Sequence, residues 1–273
     1  MKRFVLFSLL ALFISTAVFS QSFGDIYEKS IENNEAIPYP YLREADVIWS
    51  KRITRMVDMR EKMNLPLYYP TLPTSDGRMS LISIIMGEIK AGALNAFDPN
   101  NMNVNVTYSD IELKLGAGSD TTTIQTMSGA FRDTVIVRES HPEEVLQMQI
   151  LEEWYFDKKH SRMDVRIIGL CPIRVFFDQQ LGRTSRRQLF WVKYNDFRDA
   201  FARHEAYNRF NDAQRISYDD LFMQRRFSSV IYAESNVYDD RQINEYKVGK
   251  DVLYEAEKIK NELQEFEHDL WEY

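Results

Sequence analysis

The chain has 273 residues, 44% of them apolar and 13% aromatic, which supplies a full core and excludes a disordered chain. A formal net charge of −7 excludes a general positive field for nucleic acid or anionic lipid, although Arg183, Arg186 and Arg187 form a local basic cluster. The single cysteine, Cys171, excludes an internal disulfide; it lies in an apolar run, where a buried and inert thiol is expected.

Lys2 and Arg3 precede an apolar stretch over residues 4–18, and small Ser20 stands before Gln21. This is the pattern of a secretory signal peptide over residues 1–20, too short for a membrane span. No cysteine sits at the cleavage point, so the expected product is exported and soluble, with no direct membrane anchor. Residues 21–42 read as an extended, proline-marked lead-in. Over residues 43–63, Trp49, Ile53, Met56 and Arg60 fall at helical spacing and predict a helix. The prolines of residues 65–70 end it and force an aromatic exit through Tyr68 and Tyr69. A second helix is predicted over residues 80–94.

Residues 98–140 are rich in Asn, Thr, Ser, Gly and Asp and read as a loop-rich insertion with short strand-like pieces at 110–115 and 134–137. Gly116 and Gly118 read as a turn. Alternation through Leu146, Met148 and Ile150, a polar turn at 157–162, and a second apolar run to Pro172 predict a β-hairpin. An aromatic strand is expected over 189–194, with Arg183–Arg187 in the connection before it. From Asp196 the pattern is helical through Asn208. Ser217 and Asp220 form a capping box opening a helix through Arg226. Last, Val252, Ala256, Ile259, Leu263, Phe266 and Leu270 step by fours and threes, the seam of an amphipathic helix within residues 246–273. These elements predict an α+β domain over residues 43–245, with a small antiparallel hairpin-based sheet, flanking helices and that C-terminal amphipathic helix.

Chemistry is sparse. His141, His160, His204 and His268 show no ligand spacing, and there is no nucleophile elbow, phosphate loop or C-x-x-C pair. Glu152-Glu153 and Asp219-Asp220 are adjacent acids, which do not face one another across a cleft as a catalytic pair must; they read as a strand charge and as first-turn helix acids. No catalytic residue, cofactor or metal is therefore expected. Trp49, Trp154, Trp191 and Trp271, with many tyrosines, suit either a core or interface anchors.

Four stretches carry a resemblance. They are Arg43-Glu-Ala-Asp-Val-Ile-Trp-Ser-Lys-Arg52 with Arg60-Glu-Lys-Met-Asn-Leu-Pro-Leu-Tyr-Tyr-Pro70; Glu153-Trp-Tyr-Phe-Asp157 with Val165-Arg-Ile-Ile-Gly-Leu-Cys-Pro172; Asn211-Asp-Ala-Gln-Arg215 with Asp219-Asp-Leu-Phe222, Phe227-Ser-Ser229 and Glu234-Ser-Asn-Val-Tyr-Asp239; and Phe266-Glu-His-Asp-Leu-Trp-Glu-Tyr273. Together they resemble the GldN/PorN family of gliding-motility and type IX secretion components of Bacteroidota. The resemblance implies a periplasmic, non-enzymatic subunit that forms a ring with an outer-membrane lipoprotein (GldK/PorK-like) and meets the GldL/GldM-like (PorM-like) proton-driven motor. Self-association in that ring is implied, and nucleic acid is not a partner. Asp120-Thr-Thr122 and Asp133-Thr-Val135 resemble the short O-glycosylation signal of exported proteins in that phylum.

Two interface hypotheses follow. One is the segment 43–70, with Trp49, Arg52, Tyr68 and Tyr69 as anchors; the other is the terminal helix, through Ile259, Leu263, Phe266, Leu270 and Trp271. The alternative reading is a periplasmic hydrolase or a glycan- or peptide-binding protein, which requires a deep pocket with converging acids and histidines. A chaperone for exported chains would instead require a broad exposed apolar groove.

Overall fold

A computed structural model describes residues 31–125, 131–178, 181–209, 211, 213–238 and 240–270. The expected signal peptide, the first ten residues of the lead-in (21–30) and Trp271 lie outside these residues.

Among the described residues, 3-10 turns at Ile31–Asn33 and Glu44–Asp46 precede a long strand, β1 (Val47–Asp58), then α1 (Leu65–Tyr68) and α2 (Leu81–Lys90). Strands β2 (Ala96–Phe97) and β3 (Asn105–Val106) pair with each other, followed by α3 (Tyr108–Lys114) and a hairpin of β4 (Gly118–Gln125) and β5 (Phe131–Arg138). The central hairpin is β6 (Val145–Asp157) and β7 (Arg162–Asp178), continued by β8 (Arg183–Gln188) and β9 (Val192–Lys193). Then come α4 (Tyr194–Arg203), the short pair β10 (Glu205–Ala206) and β11 (Ile216–Ser217), α5 (Tyr218–Met223) and β12 (Val230–Glu234). Finally α6 (Ile243–Tyr246) leads to α7 (Lys250–Asp269). The main sheet is antiparallel in the order β12-β1-β6-β7-β8, with β9 also pairing to β7. This is an α+β fold with a C-terminal helix, as expected.

Several local expectations hold for physical reasons. Ser80 accepts the Ser83 N–H and starts α2, and Ser217 and Asp220 complete a reciprocal capping box on α5. The hairpin turn at 157–162 forms with Asp157 accepting the Lys159 N–H at 2.8 Å. Gly116 has φ +101°, and an added Cβ there would stand 2.7 Å from the Arg174 guanidinium, so the turn needs glycine.

Other expectations are corrected. Residues 43–63 form no helix: β1 occupies Val47–Asp58, and its buried positions alternate through Ile53, Arg55 and Val57. A spacing of four fits both periods, so Ile53 and Val57 alone cannot separate helix from strand. The piece at 110–115 belongs to α3, because Thr107 and Asp110 close a capping box ahead of it. Arg183–Gln188 is a strand rather than a connection, and most of the aromatic run 189–194 lies outside strands. Leu189 and Phe190 are fully buried instead, below the sheet's turn into α4. That helix ends at Arg203, since His204 is already extended, and α5 ends at Met223 rather than Arg226. Residues 98–140 hold α3 and an eight-residue ladder of β4 with β5, in which Thr122 pairs with Thr134.

Two apolar clusters form. The larger joins Val57, Met148 and Ile150 of the sheet to Ile84 and Ile85 of α2, Phe197 and Phe201 of α4, and Phe222 of α5. The smaller joins Ile53, Ile231 and Ile243 to Ala256, Ile259 and Leu263 of α7. Each large aliphatic side chain buried there contributes about 1.5–3 kcal/mol to holding the helix on the sheet.

Candidate functional site

The terminal helix spends its apolar seam on its own sheet. Ile259 and Leu263 are 3% and 7% exposed, and Trp49 of β1 meets Phe266 with ring centroids 4.7 Å apart. Trp49, Ile259, Leu263 and Phe266 are therefore brought together inside one chain. Leu270, half-buried, closes the described part of the helix. Arg52 lies on the same strand as Trp49, three residues on, so it points to the opposite sheet face; its side chain is 62% exposed and stands 3.8 Å from Glu153. The tyrosine pair is remote in the chain from that cluster. Tyr68 donates to the Glu143 carbonyl at 2.9 Å and meets Tyr69 edge-on at 4.8 Å, and Tyr69 is 53% exposed.

Between the two apolar clusters lies a charged step. Ile53, Arg55 and Val57 share one face of β1, and Ile150, Glu152 and Trp154 share one face of β6. Glu152 is fully buried. Its carboxylate accepts from Arg55 Nε at 2.9 Å, from Arg225 Nη2 at 2.8 Å and from Trp154 Nε1 at 3.0 Å. Burial pushes the Arg55 pKa down, and Glu152 opposes that shift. The sequence reading of Glu152 as a strand charge beside Trp154 had the right neighbour but not its burial. The alternation of Ile150, Glu152 and Trp154 on a strand that buries its neighbours was the available signal. Arg225 has positive φ at the end of α5 and no sequence pattern pointed to it. A cleft of 410 Å³ opens over this cluster, walled by Phe227 and by Lys260, Gln264 and Glu267 of α7.

The other adjacent acids are also structural. Asp220 caps α5, while buried Asp219 accepts from Arg198 Nε and Nη2, both at 3.0 Å, and from the Tyr194 hydroxyl at 2.8 Å. Burial raises the Tyr194 pKa, keeping the phenol protonated and a donor. Arg198 also donates to the Ile37 carbonyl at 2.6 Å, and its guanidinium lies 4.3 Å from the Tyr39 ring. Arg166 covers the same ring at 4.9 Å and donates to the Pro40 carbonyl at 2.6 Å. The lead-in is thus held on the domain by two arginines, one of them fixed by Asp219.

Three of the four histidines make local side-chain contacts: His141 with Glu143, His160 with Asp157, and His204 with the Ala200 carbonyl, while His268 is exposed on α7. Among the described residues, no three His, Cys, Asp or Glu side chains group so as to hold a metal ion. Cys171 is fully buried, and burial pushes its thiol up to about 12, which removes the reactive thiolate. No helix among the described residues is long and apolar enough to cross a membrane. Among the described residues, the buried charges Arg55, Glu152, Arg198 and Asp219 are engaged in ion pairs that hold the fold.

Comparison with known proteins gives one result. A family model described as "Gliding motility associated protein GldN" matches residues 42–272, well over half of the chain. No curated protein sequence matches it.

Proposed function

Because the chain belongs to the GldN family, and so to the gliding-motility and type IX secretion machinery, we propose that it acts there as a non-enzymatic structural subunit in the periplasm. In this reading it forms a ring with a GldK/PorK-like outer-membrane lipoprotein, which supplies the membrane attachment. The ring then meets the periplasmic part of a GldM/PorM-like motor protein. The observation that carries the reading is the family match across residues 42–272, which takes in both the β1 segment and the terminal helix. Its support in the geometry is that the buried acids are committed to structural partners: Glu152 to Arg55 and Arg225, and Asp219 to Arg198 and Tyr194.

Within this reading the exposed residues of the β1 segment are the lipoprotein-facing anchors. Arg52 and Tyr69 are exposed and hold no part of either apolar cluster, so both can be replaced without unfolding the chain. Trp49, Tyr68, Ile259, Leu263 and Phe266 act on assembly by keeping α7 and the Tyr68-Tyr69 corner in place. Co-purification with the lipoprotein tests this. Arg52→Ala and Tyr69→Ala are expected to reduce recovery of the pair, and full recovery with both variants refutes the assignment of this surface.

A further inference from the structure

Two guanidinium groups share one carboxylate beside the cleft at α7. Arg55 is nine-tenths buried and donates to Glu152 through Nε alone; its Nη1 and Nη2 make no hydrogen bond among the described residues. Arg225 donates to the same carboxylate through Nη2, and its Nε and Nη1 make no hydrogen bond there. Two positive charges against one negative leave a surplus of one, at a site largely withdrawn from water. The surplus acts on Arg55: burial pushes its pKa down, and Arg225 adds to that push against the pull of Glu152. The free N–H groups are not sealed off. Both side chains line the 410 Å³ cleft, and their unbonded nitrogens keep access to solvent.

The walls around these groups are aromatic and fixed. The Trp154 ring lies 5.8 Å from the Arg55 guanidinium and 5.5 Å from that of Arg225, and the Phe227 ring lies 5.4 Å from Arg225. Arg225 has φ +52°, a backbone conformation that favours glycine and is kept here by an arginine. Beyond Phe227, the Ser228 N–H donates to Asn64 Oδ1 at 2.8 Å, and Asn64 Nδ2 donates to the Ser228 carbonyl at 2.9 Å. That clamp leaves the Ser228 and Ser229 hydroxyls on the cleft wall without a hydrogen bond among the described residues. On the α7 side, Lys260 is held by Glu257 at 3.1 Å, while Glu267 makes no ion pair there. We propose that this cleft binds a carboxylate carried on an apolar or aromatic group. Nη1 and Nη2 of Arg55 match the two oxygens of a carboxylate, and Arg225 and the serine hydroxyls are further donors. The apolar part lies against Trp154 and Phe227. One negative charge balances the surplus, whereas a phosphate monoester carries nearly two and adds to the repulsion from Glu267. A free small acid and the side-chain carboxylate of a peptide share this chemistry.

Titration calorimetry on the chain without residues 1–20 tests the proposal with three probes. N-acetylphenylalanine carries a free terminal carboxylate, a blocked phenylalanyl-glutamate dipeptide carries only the side-chain one, and N-acetylphenylalaninamide carries none. At least one acid is expected to bind with a Kd of about 1 mM or below, and at least about tenfold more tightly than the amide. The tighter acid names the source. Nuclear magnetic resonance places it in the cleft if the indole N–H of Trp154, which donates to Glu152, shifts on binding. Arg225→Gln is expected to weaken the acid about tenfold, and Glu267→Gln to strengthen it about threefold as a like charge leaves the wall. Circular dichroism checks that both variants keep the fold. Acids that bind no better than the amide overturn the proposal, as does binding that Arg225→Gln leaves unchanged. Weaker binding in Glu267→Gln overturns it too, since the ligand would then need a positive group. Phenyl phosphate binding more tightly than either acid overturns the carboxylate assignment. A chain ending at Leu270 that binds the acid about tenfold more tightly than the parent also overturns it, because residues 271–273 then fill the cleft themselves.

Discussion

Arg55 and Glu152 meet at 2.9 Å across β1 and β6, with the carboxylate fully buried, at the boundary between the two apolar clusters. Val57, Met148 and Ile150 on one side belong to the cluster with α2, α4 and α5, and Ile53, Trp49 and Trp154 on the other side belong to the cluster with α7. The charge pair is thus a seam within one sheet face. Replacing such a pair by apolar residues is often neutral, but removing one partner leaves the other uncompensated.

Glu152→Ala is accordingly expected to cost about 3–5 kcal/mol, since Arg55 stays buried without its counter-ion. Arg225→Ala removes a more exposed partner and is expected to cost about 1 kcal/mol. Chemical denaturation of the two variants checks the order; equal effects would mean that Glu152 is not the centre of the cluster.

Leu263→Ala removes a side chain that is 7% exposed from the smaller cluster and is expected to cost about 2–4 kcal/mol. Hydrogen exchange should then accelerate first in α7 and least around Phe197 and Phe222, which belong to the larger cluster. Uniform acceleration across both clusters would contradict the separation by the charged seam.

How much of this was legible beforehand depends on which signal each element carries. The terminal helix was plain because seven-residue spacing from Val252 to Leu270 has no strand counterpart, and the capping box at Ser217 identified a helix start from two residues. The segment after residue 43 misled because Ile53 and Val57 satisfy both periods, and the strand's third buried position is an arginine. Its β-branched residues Val47, Ile48, Ile53, Thr54 and Val57 were the better guide. The family resemblance was carried by long stretches and matched residues 42–272. The depression lined by Pro66, Ala206, Ile216 and Leu221 was not legible at all: these residues come from separate segments of the chain, and only the fold brings them together.

The lead-in offers a third test. Asp219→Ala leaves buried Arg198 without its bidentate partner, so the grip on Ile37 and Tyr39 should loosen. Limited proteolysis is expected to cut around residues 37–41 several times faster in this variant than in the parent. Unchanged cleavage would show that the Arg166 contacts hold the segment by themselves.

Asp58 supplies a pH dependence. Its hydrogen bonds from Arg60 hold the carboxyl down to about 2, below the ordinary value near 3.8. A lowered folded-state pKa contributes stability above the unfolded value and loses it as pH falls through the folded one. Solvent screening at this partly open site reduces the contribution to about 1 kcal/mol. Asp58→Asn is expected to be less stable than the parent by that amount at pH 5 and to have lost most of that gap by pH 2. A gap that persists unchanged at pH 2 would assign the effect to packing instead.

The central claim is that this chain is a building block held at the outer membrane by another protein. Native mass measurement of the chain with and without its GldK/PorK-like lipoprotein tests it most directly. The account predicts a closed assembly of many copies containing both proteins, formed only when the lipoprotein is present or greatly enlarged by it. A chain that remains a single copy beside the lipoprotein, at concentrations where both are folded, would contradict it.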